Sequence, residues 1–208
     1  MVRPPRAAAP ERIGLLGGTF DPPHHGHVAA ARACRDELHL DRVLLVVAND
    51  PWQKSERPVT PAEDRMAMVE AAVRGLEGVE ASRIEIDRGG RSYTVDTVEQ
   101  LRAEAAERGL PEPEIFLVVG SDLVPYLHTW KRVDDLRRMV TLAVVSRPPG
   151  PGALEVPGWR TVRVEGKAVD VSSSEVRDRL ERGCGADGMV PDEVVRCIER
   201  RGLYAVRR

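Results

Sequence analysis

Residues 42–48, RVLLVVA, are apolar at nearly every position, and this short run constrains the fold more than any other feature of the chain. A strand with one face in water alternates apolar and polar residues. A continuous run of this length is instead expected of a strand buried on both faces, as in a parallel sheet covered by helices. Residues 115–119 (IFLVV) and 141–146 (TLAVVS) read the same way, and 13–17 (IGLLG) is a shorter run ending in glycine. Residues 82–86 (SRIEI) and 160–164 (RTVRV) are two further strand candidates.

Helical patterns fill the gaps. Residues 26–40 carry Val28, Ala31, Arg35 and Leu38 at helical spacing, with the arginine interrupting the stripe. Thr60-Pro61-Ala62-Glu63 reads as a capping box with proline at the first helical position, so a helix is predicted over about 61–76. Residues 94–108 place Val95, Val98, Leu101 and Ala105 on one face, and Gly109 stops them. Ser172 with Glu175 opens another helix to about 181, and 191–201 forms the last. A Pro/Gly-rich stretch, 148–158, is expected to be a surface loop.

Strands alternating with helices imply an α/β fold: a Rossmann-like, doubly wound parallel sheet with helices on both faces, and a small C-terminal helical part over about 171–208. The 208 residues suit one domain, 12–208, behind a frayed leader, 1–11, rich in Pro, Ala and Arg. Ligands of such sheets sit at the carboxyl ends of the strands, and every motif described below falls just after a strand candidate.

A formal net charge of −2 argues against a general nucleic-acid binder, which would carry a basic stripe. Any anion must be held locally. No apolar stretch approaches membrane-spanning length, and the start lacks a signal peptide's apolar run. The three cysteines, Cys34, Cys184 and Cys197, are scattered and form no CxxC pair, which suits a reducing cytoplasm.

The first motif, Gly17-Gly18-Thr19-Phe20-Asp21-Pro22-Pro23-His24-His25-Gly26-His27, joins the first strand to the first helix. Its glycines let backbone approach a ligand, and the helix behind offers unpaired N–H groups and a positive dipole end to an anion. His24 and His27 are three apart and share a face if the helix has begun, so both could donate to phosphate oxygens. A chance cluster in an exposed turn is the plain alternative. A zinc site is disfavoured, because adjacent His24 and His25 point different ways and no fourth ligand stands at metal spacing.

GGTFDPPHHGH resembles the signature of the HxGH nucleotidylyltransferase superfamily, and the chain from Arg12 to about Tyr204 is most similar to the bacterial nicotinate mononucleotide adenylyltransferases. Val171-Ser172-Ser173-Ser174-Glu175-Val176-Arg177 resembles that family's ISSTxxR motif, with Ser174 where threonine is usual. The resemblance implies transfer of AMP from ATP to nicotinate mononucleotide, giving nicotinate adenine dinucleotide and pyrophosphate in NAD biosynthesis. His24, His27 and Arg177 would be catalytic. Gly17, Gly18, Thr19, Phe20, Gly26, Gly120, Asp122, Ser172, Ser173 and Ser174 would bind ATP. Lys54, Tyr93, Thr94, Trp130, Lys131 and Arg147 would bind the nicotinate nucleotide, with Trp130 stacked on the pyridine ring and amides near Thr94 and Lys131 on its carboxylate. Mg²⁺ would accompany ATP, with no protein metal site. The expected partners are those two small molecules, with no nucleic acid and no membrane; a homo-oligomer is allowed but not demanded.

Plainer readings stand beside these roles. Ser172 with Glu175 suffices for a well-capped helix, Trp130 could be a packing residue, Thr94 could cap its helix, and Lys54 could be a solvated charge. The neighbouring alternatives are nucleotidylyltransferases for nicotinamide mononucleotide, phosphopantetheine or glycerol phosphate, and a nucleotide-binding regulator that has lost catalysis. A dehydrogenase is disfavoured by the absence of a GxGxxG turn.

Overall fold

The computed structural model describes residues 9–51, 58–146, 156–166 and 169–204. Six strands, β1 (Arg12–Gly18), β2 (Arg42–Val47), β3 (Val79–Ser82), β4 (Glu114–Gly120), β5 (Val140–Val145) and β6 (Thr161–Val164), form one sheet in the order β3-β2-β1-β4-β5-β6. Every pairing is parallel. The order reverses between β1 and β4, so the crevice beyond their carboxyl ends is where a ligand is expected.

Helices α1 (His25–Glu37) and α2 (Ala62–Val73) cover one face, and α4 (Thr94–Glu107) and α5 (Val133–Met139) the other. Successive residues of β2 divide between them: Val43, Leu45 and Val47 pack with Ala31, Cys34, Met66 and Val69, whereas Leu44 and Val46 pack with Val95, Val98 and Leu136. That division is why the 42–48 run cannot alternate. Two more helices, α6 (Ser173–Glu181) and α7 (Asp192–Arg201), join the outer side of α2, where Val176, Val194 and Ile198 meet Met68, Ala71 and Ala72. Among the described residues no helix is long and apolar enough to cross a membrane.

Three expectations need correction. The third strand is Val79–Ser82, and the Ile84–Arg88 stretch forms a short helix, α3. The apolar–polar–apolar pattern of SRIEI is too short to separate a strand from one helical turn, and tertiary contacts decide it: Glu85 is buried and accepts a hydrogen bond from Thr97 Oγ1 at 2.6 Å. The Thr60 capping box does not form, because Pro61 is itself the extended residue before α2 and has no side-chain cap. Thr60 is therefore one residue too early, and its carbonyl accepts from Arg65 Nε at 2.7 Å. Finally, a 3₁₀ stretch, Ser121–Thr129, and α5 occupy a segment for which no element was expected.

At the start of the described chain, Glu11 already joins the sheet: its carbonyl accepts Glu114 N–H at 2.9 Å and its carboxylate pairs with Arg42 Nε at 2.8 Å. Most of the 148–158 loop lies outside the described residues. All three cysteines are free, Cys34 and Cys197 buried and Cys184 exposed.

Candidate functional site

β1 ends at Gly18 and the chain turns sharply before α1. Phe20 takes a left-handed backbone (φ +50°) with its ring buried, and the Asp21–Pro22 peptide is cis. A Cβ on Gly18 would stand 3.0 Å from that ring, so glycine lets the turn close over it.

Two imidazoles make the cap of α1. His24 is the N-cap; its Nδ1 accepts the Gly26 N–H at 3.1 Å, and the His24 N–H donates to Nδ1 of His27 at 3.2 Å. The rings stack with centroids 3.7 Å apart, and His27 also meets the edge of Phe20 at 4.9 Å. A nitrogen that accepts an N–H bond carries no proton, so in this arrangement both rings are neutral and hold their proton on Nε2. The plain reading of an exposed chance cluster falls, since His24 is only 2 % exposed.

This cap constrains Gly26. A Cβ there would lie 2.9 Å from His24 Nδ1 and 3.0 Å from its Cε1. Helix propensity alone would make Gly26→Ala stabilising by up to ~1 kcal/mol. Because the collision forces His24 out of its cap bond, we expect a net loss of about 1–2 kcal/mol in urea denaturation. An unchanged or higher midpoint would mean that the ring can step aside.

The serine-rich helix start meets the same turn. Ser173 Oγ donates to the Pro22 carbonyl at 2.8 Å; the Arg177 guanidinium donates to the Asp21 carbonyl and, at 2.9 Å, to Ser174 Oγ. Ser172 is the helix cap, accepting Glu175 N–H at 3.2 Å. The capping reading is thus right for Ser172 but does not account for Ser173, Ser174 and Arg177, which lock α6 to the histidine turn. Arg177 is 5 % exposed.

A cleft of about 410 Å³ opens above these groups. Gly17, Gly18, Thr19, Phe20, Gly26 and His27 line it with Ser173; Gly120 and Asp122 line the β4 side. Ser92, Tyr93, Thr94, Trp130 and Lys131 also line it. The structure therefore brings together residues drawn from five separate stretches of sequence. His24 and Arg177 lie behind the wall, and Lys54 and Arg147 lie outside the described residues. Thr94 is not a cap: it is the first residue of α4, whose N-cap Tyr93 makes no side-chain cap bond. The Lys131 ammonium pairs with Asp96 at 3.0 Å and sits 4.3 Å from the centroid of the Tyr93 ring. Trp130 packs partly against the core.

Four residues at or near the cleft were given no site role from the sequence. Asp21 is 3 % exposed and accepts the Tyr204 hydroxyl at 2.6 Å; burial and that hydrogen bond push the phenol's pKa up. Glu85 contributes a buried carboxylate to the cleft wall. Arg65 is buried behind the turn. An arginine within the apolar run of α2 was the only signal for the last, and an isolated tyrosine near the chain end gave none.

Among the described residues no three His, Cys, Asp or Glu side chains converge on a point that could hold a metal ion. The donor set offers phosphate and carboxylate ligands N–H, hydroxyl and cationic groups instead.

Comparison with known proteins agrees with this chemistry. The cytidylyltransferase-like family matches residues 15–179. A protein of Acidothermus cellulolyticus named "Probable nicotinate-nucleotide adenylyltransferase" is 41% identical over 93% of this chain and 94% of its own. A protein of the same name from Saccharopolyspora erythraea is 39% identical over 93% and 89%. Among solved structures, the nicotinic acid mononucleotide adenylyltransferase of Plasmodium falciparum complexed with NaAD superposes with a TM-score of 0.73, covering 93% of this chain and 97% of that one. At 16% identity, that likeness speaks for the fold alone.

Proposed function

Because the chain belongs to the nicotinate-nucleotide adenylyltransferase family, built on the cytidylyltransferase-like fold, we propose that it transfers AMP from ATP to nicotinate mononucleotide. The products are nicotinate adenine dinucleotide and pyrophosphate, a step of NAD biosynthesis. One observation carries the reading: two helix starts, one headed by imidazoles and one by hydroxyls and a guanidinium, are hydrogen-bonded to a single turn at the mouth of one cleft.

The acceptor phosphate is an anion at neutral pH and needs no general base. One of its oxygens forms a bond to the α-phosphorus of ATP as the bond to the β-phosphate oxygen breaks, and pyrophosphate leaves with that electron pair. Catalysis is then alignment and charge stabilisation. The Nε2–H of His27, which lines the cleft, is the donor assigned to the reacting phosphates, with His24 behind the wall fixing that tautomer, and the start of α6 is assigned to the leaving pyrophosphate. Mg²⁺ would enter with ATP, as the Mg·ATP substrate.

Trp130 is assigned to the pyridine ring. The α4 start lacks a side-chain cap and offers N–H donors to the nicotinate carboxylate, with the Lys131 ammonium close by. A carboxamide would turn its own NH2 toward donors, which supports selection of nicotinate. The Glu85 carboxylate would favour the amide, but it is engaged by Thr97 and faces Arg88 at 3.8 Å.

The test is pyrophosphate release with ATP and either nicotinate or nicotinamide mononucleotide. Wild type is expected to prefer nicotinate. Trp130→Ala is expected to raise KM for the mononucleotide by roughly tenfold, the value of a lost aromatic contact, with KM for ATP little changed. Equal use of both acceptors would reverse the specificity assigned here, and an effect confined to ATP would move Trp130 to the other substrate. Three free thiols suit the cytoplasm.

A further inference from the structure

Arg65, on the first turn of α2, is the largest of the fully buried side chains, 1 % exposed, and the chemistry above makes no use of it. Among the described residues it forms no ion pair. It spends its guanidinium on three carbonyls from three loops: Nε on Thr60 at 2.7 Å, and the terminal nitrogens on Thr19 at 2.9 Å and Asn49 at 3.2 Å. Burial pulls its pKa down, opposed by the charges of Asp21 and Tyr204. A buried cation without a carboxylate in contact is costly, and a fork spanning three loops is a geometry that only arginine provides.

Its contacts join two stretches of the cleft lining. Thr19 belongs to the histidine turn on the ATP side. Asn49 follows β2; its N–H donates to Ser92 Oγ at 2.8 Å, its side-chain amide to the Gly90 carbonyl at 2.9 Å, and Ser92 N–H returns to the Asp50 carbonyl at 3.1 Å. Ser92 directly precedes Tyr93 and Thr94, on the acceptor side. The hydrogen bonds run unbroken from Thr19 through Arg65 and Asn49 to Ser92.

We propose that Arg65 is a positioning residue for the transfer step: through Asn49 and Ser92 it sets the separation between the turn that holds ATP and the segment that holds the acceptor. This rests on the function proposed above. Each substrate binds its own half-site, so a link between the halves governs how well the two reacting groups meet. It belongs in kcat and not in either separate dissociation constant.

The experiment uses Arg65→Lys, which keeps the charge but loses the fork, Arg65→Met, which loses both, and Ser92→Ala, which cuts the same chain at its other end without disturbing a buried charge. Dissociation constants for ATP and for nicotinate mononucleotide are measured separately by calorimetry. Turnover at saturation is normalised to the folded fraction, and amide hydrogen exchange is followed over 17–24 and 88–94 in the ligand-free protein. The expected result is a fall in kcat of ~10–100-fold, with each dissociation constant within ~3-fold of wild type, because misalignment on the ångström scale acts on the reacting geometry. Exchange is expected to rise in both segments together. Normal turnover of the folded variants would overturn the proposal. So would a loss carried by one dissociation constant, or exchange that rises in one segment only. If wild type made no product from nicotinate mononucleotide, the functional reading would fall by itself, and hydrogen exchange would still decide whether Arg65 joins the two segments.

Discussion

Replacing His27 by alanine is expected to lower kcat by on the order of 10²–10³, the effect of removing one aimed donor from a transition-state site, while the protein stays folded. The tautomer is the reason. His27 Nδ1 is occupied by the His24 N–H, so its proton is held on Nε2, and His27 lines the cleft. The same bond gives the variant a predictable stability cost. Losing half of the imidazole cap costs about 1 kcal/mol, small against a total of roughly 5–15 kcal/mol. His27→Asn separates the two effects, because a short amide can accept the His24 N–H but its donor cannot reach where Nε2–H stood. Stability is expected to recover in that variant and turnover is not. Denaturation midpoints and steady-state rates read both. Near-normal turnover in His27→Ala would falsify the role given to this ring.

Arg177→Ala is expected to lose both activity and stability. Its guanidinium joins α6 to the Asp21 carbonyl and Ser174 Oγ inside a nearly closed site. Removing it strands the buried Asp21 carbonyl, at a cost of about 1–3 kcal/mol, and frees the α6 start from the turn. Since both helix starts must address one triphosphate, releasing one from the other misaligns them, and kcat is expected to fall on the order of 10²–10³. Arg177→Lys should recover part of the stability, because a cation remains, and little of the turnover, because one ammonium cannot replace a two-armed contact. Were Arg177→Lys as fast as wild type, a single positive charge would suffice there and the lock between α6 and the turn would be incidental.

Much of the fold was legible because burial leaves a direct mark on sequence. β2, β4 and β5 are sandwiched between helices, so they could be found as uninterrupted apolar runs, and α4 as a stripe at helical spacing. β3 pairs with β2 only and is half exposed, so it left a weak pattern that SRIEI outshone. The 3₁₀ stretch and α5 were missed because a 3₁₀ turn has no period of 3.6, Pro125 interrupts it, and α5 is only two turns long. The Thr60 box failed for a different reason. A capping signature assumes that its first residue is the last extended one, and Pro61 held that position instead.

By itself the sequence determined the alternation of strands and helices, and hence the sheet. It also determined the groups each strand end carries: imidazoles after β1, the Tyr93–Thr94 segment before α4, and hydroxyls with an arginine at α6. Those are local matters of periodicity and residue chemistry. Only the tertiary structure decided that Ser173 and Arg177 grip Pro22 and Asp21 across more than 150 positions of chain, that two histidines cap one helix with their Nδ1 atoms, and that Arg65 bridges Thr19 to Asn49. A hydrogen bond needs its partners about 3 Å apart. Residues this distant in sequence reach that separation only once strand order and helix packing have brought the loops together, so no local pattern records the encounter.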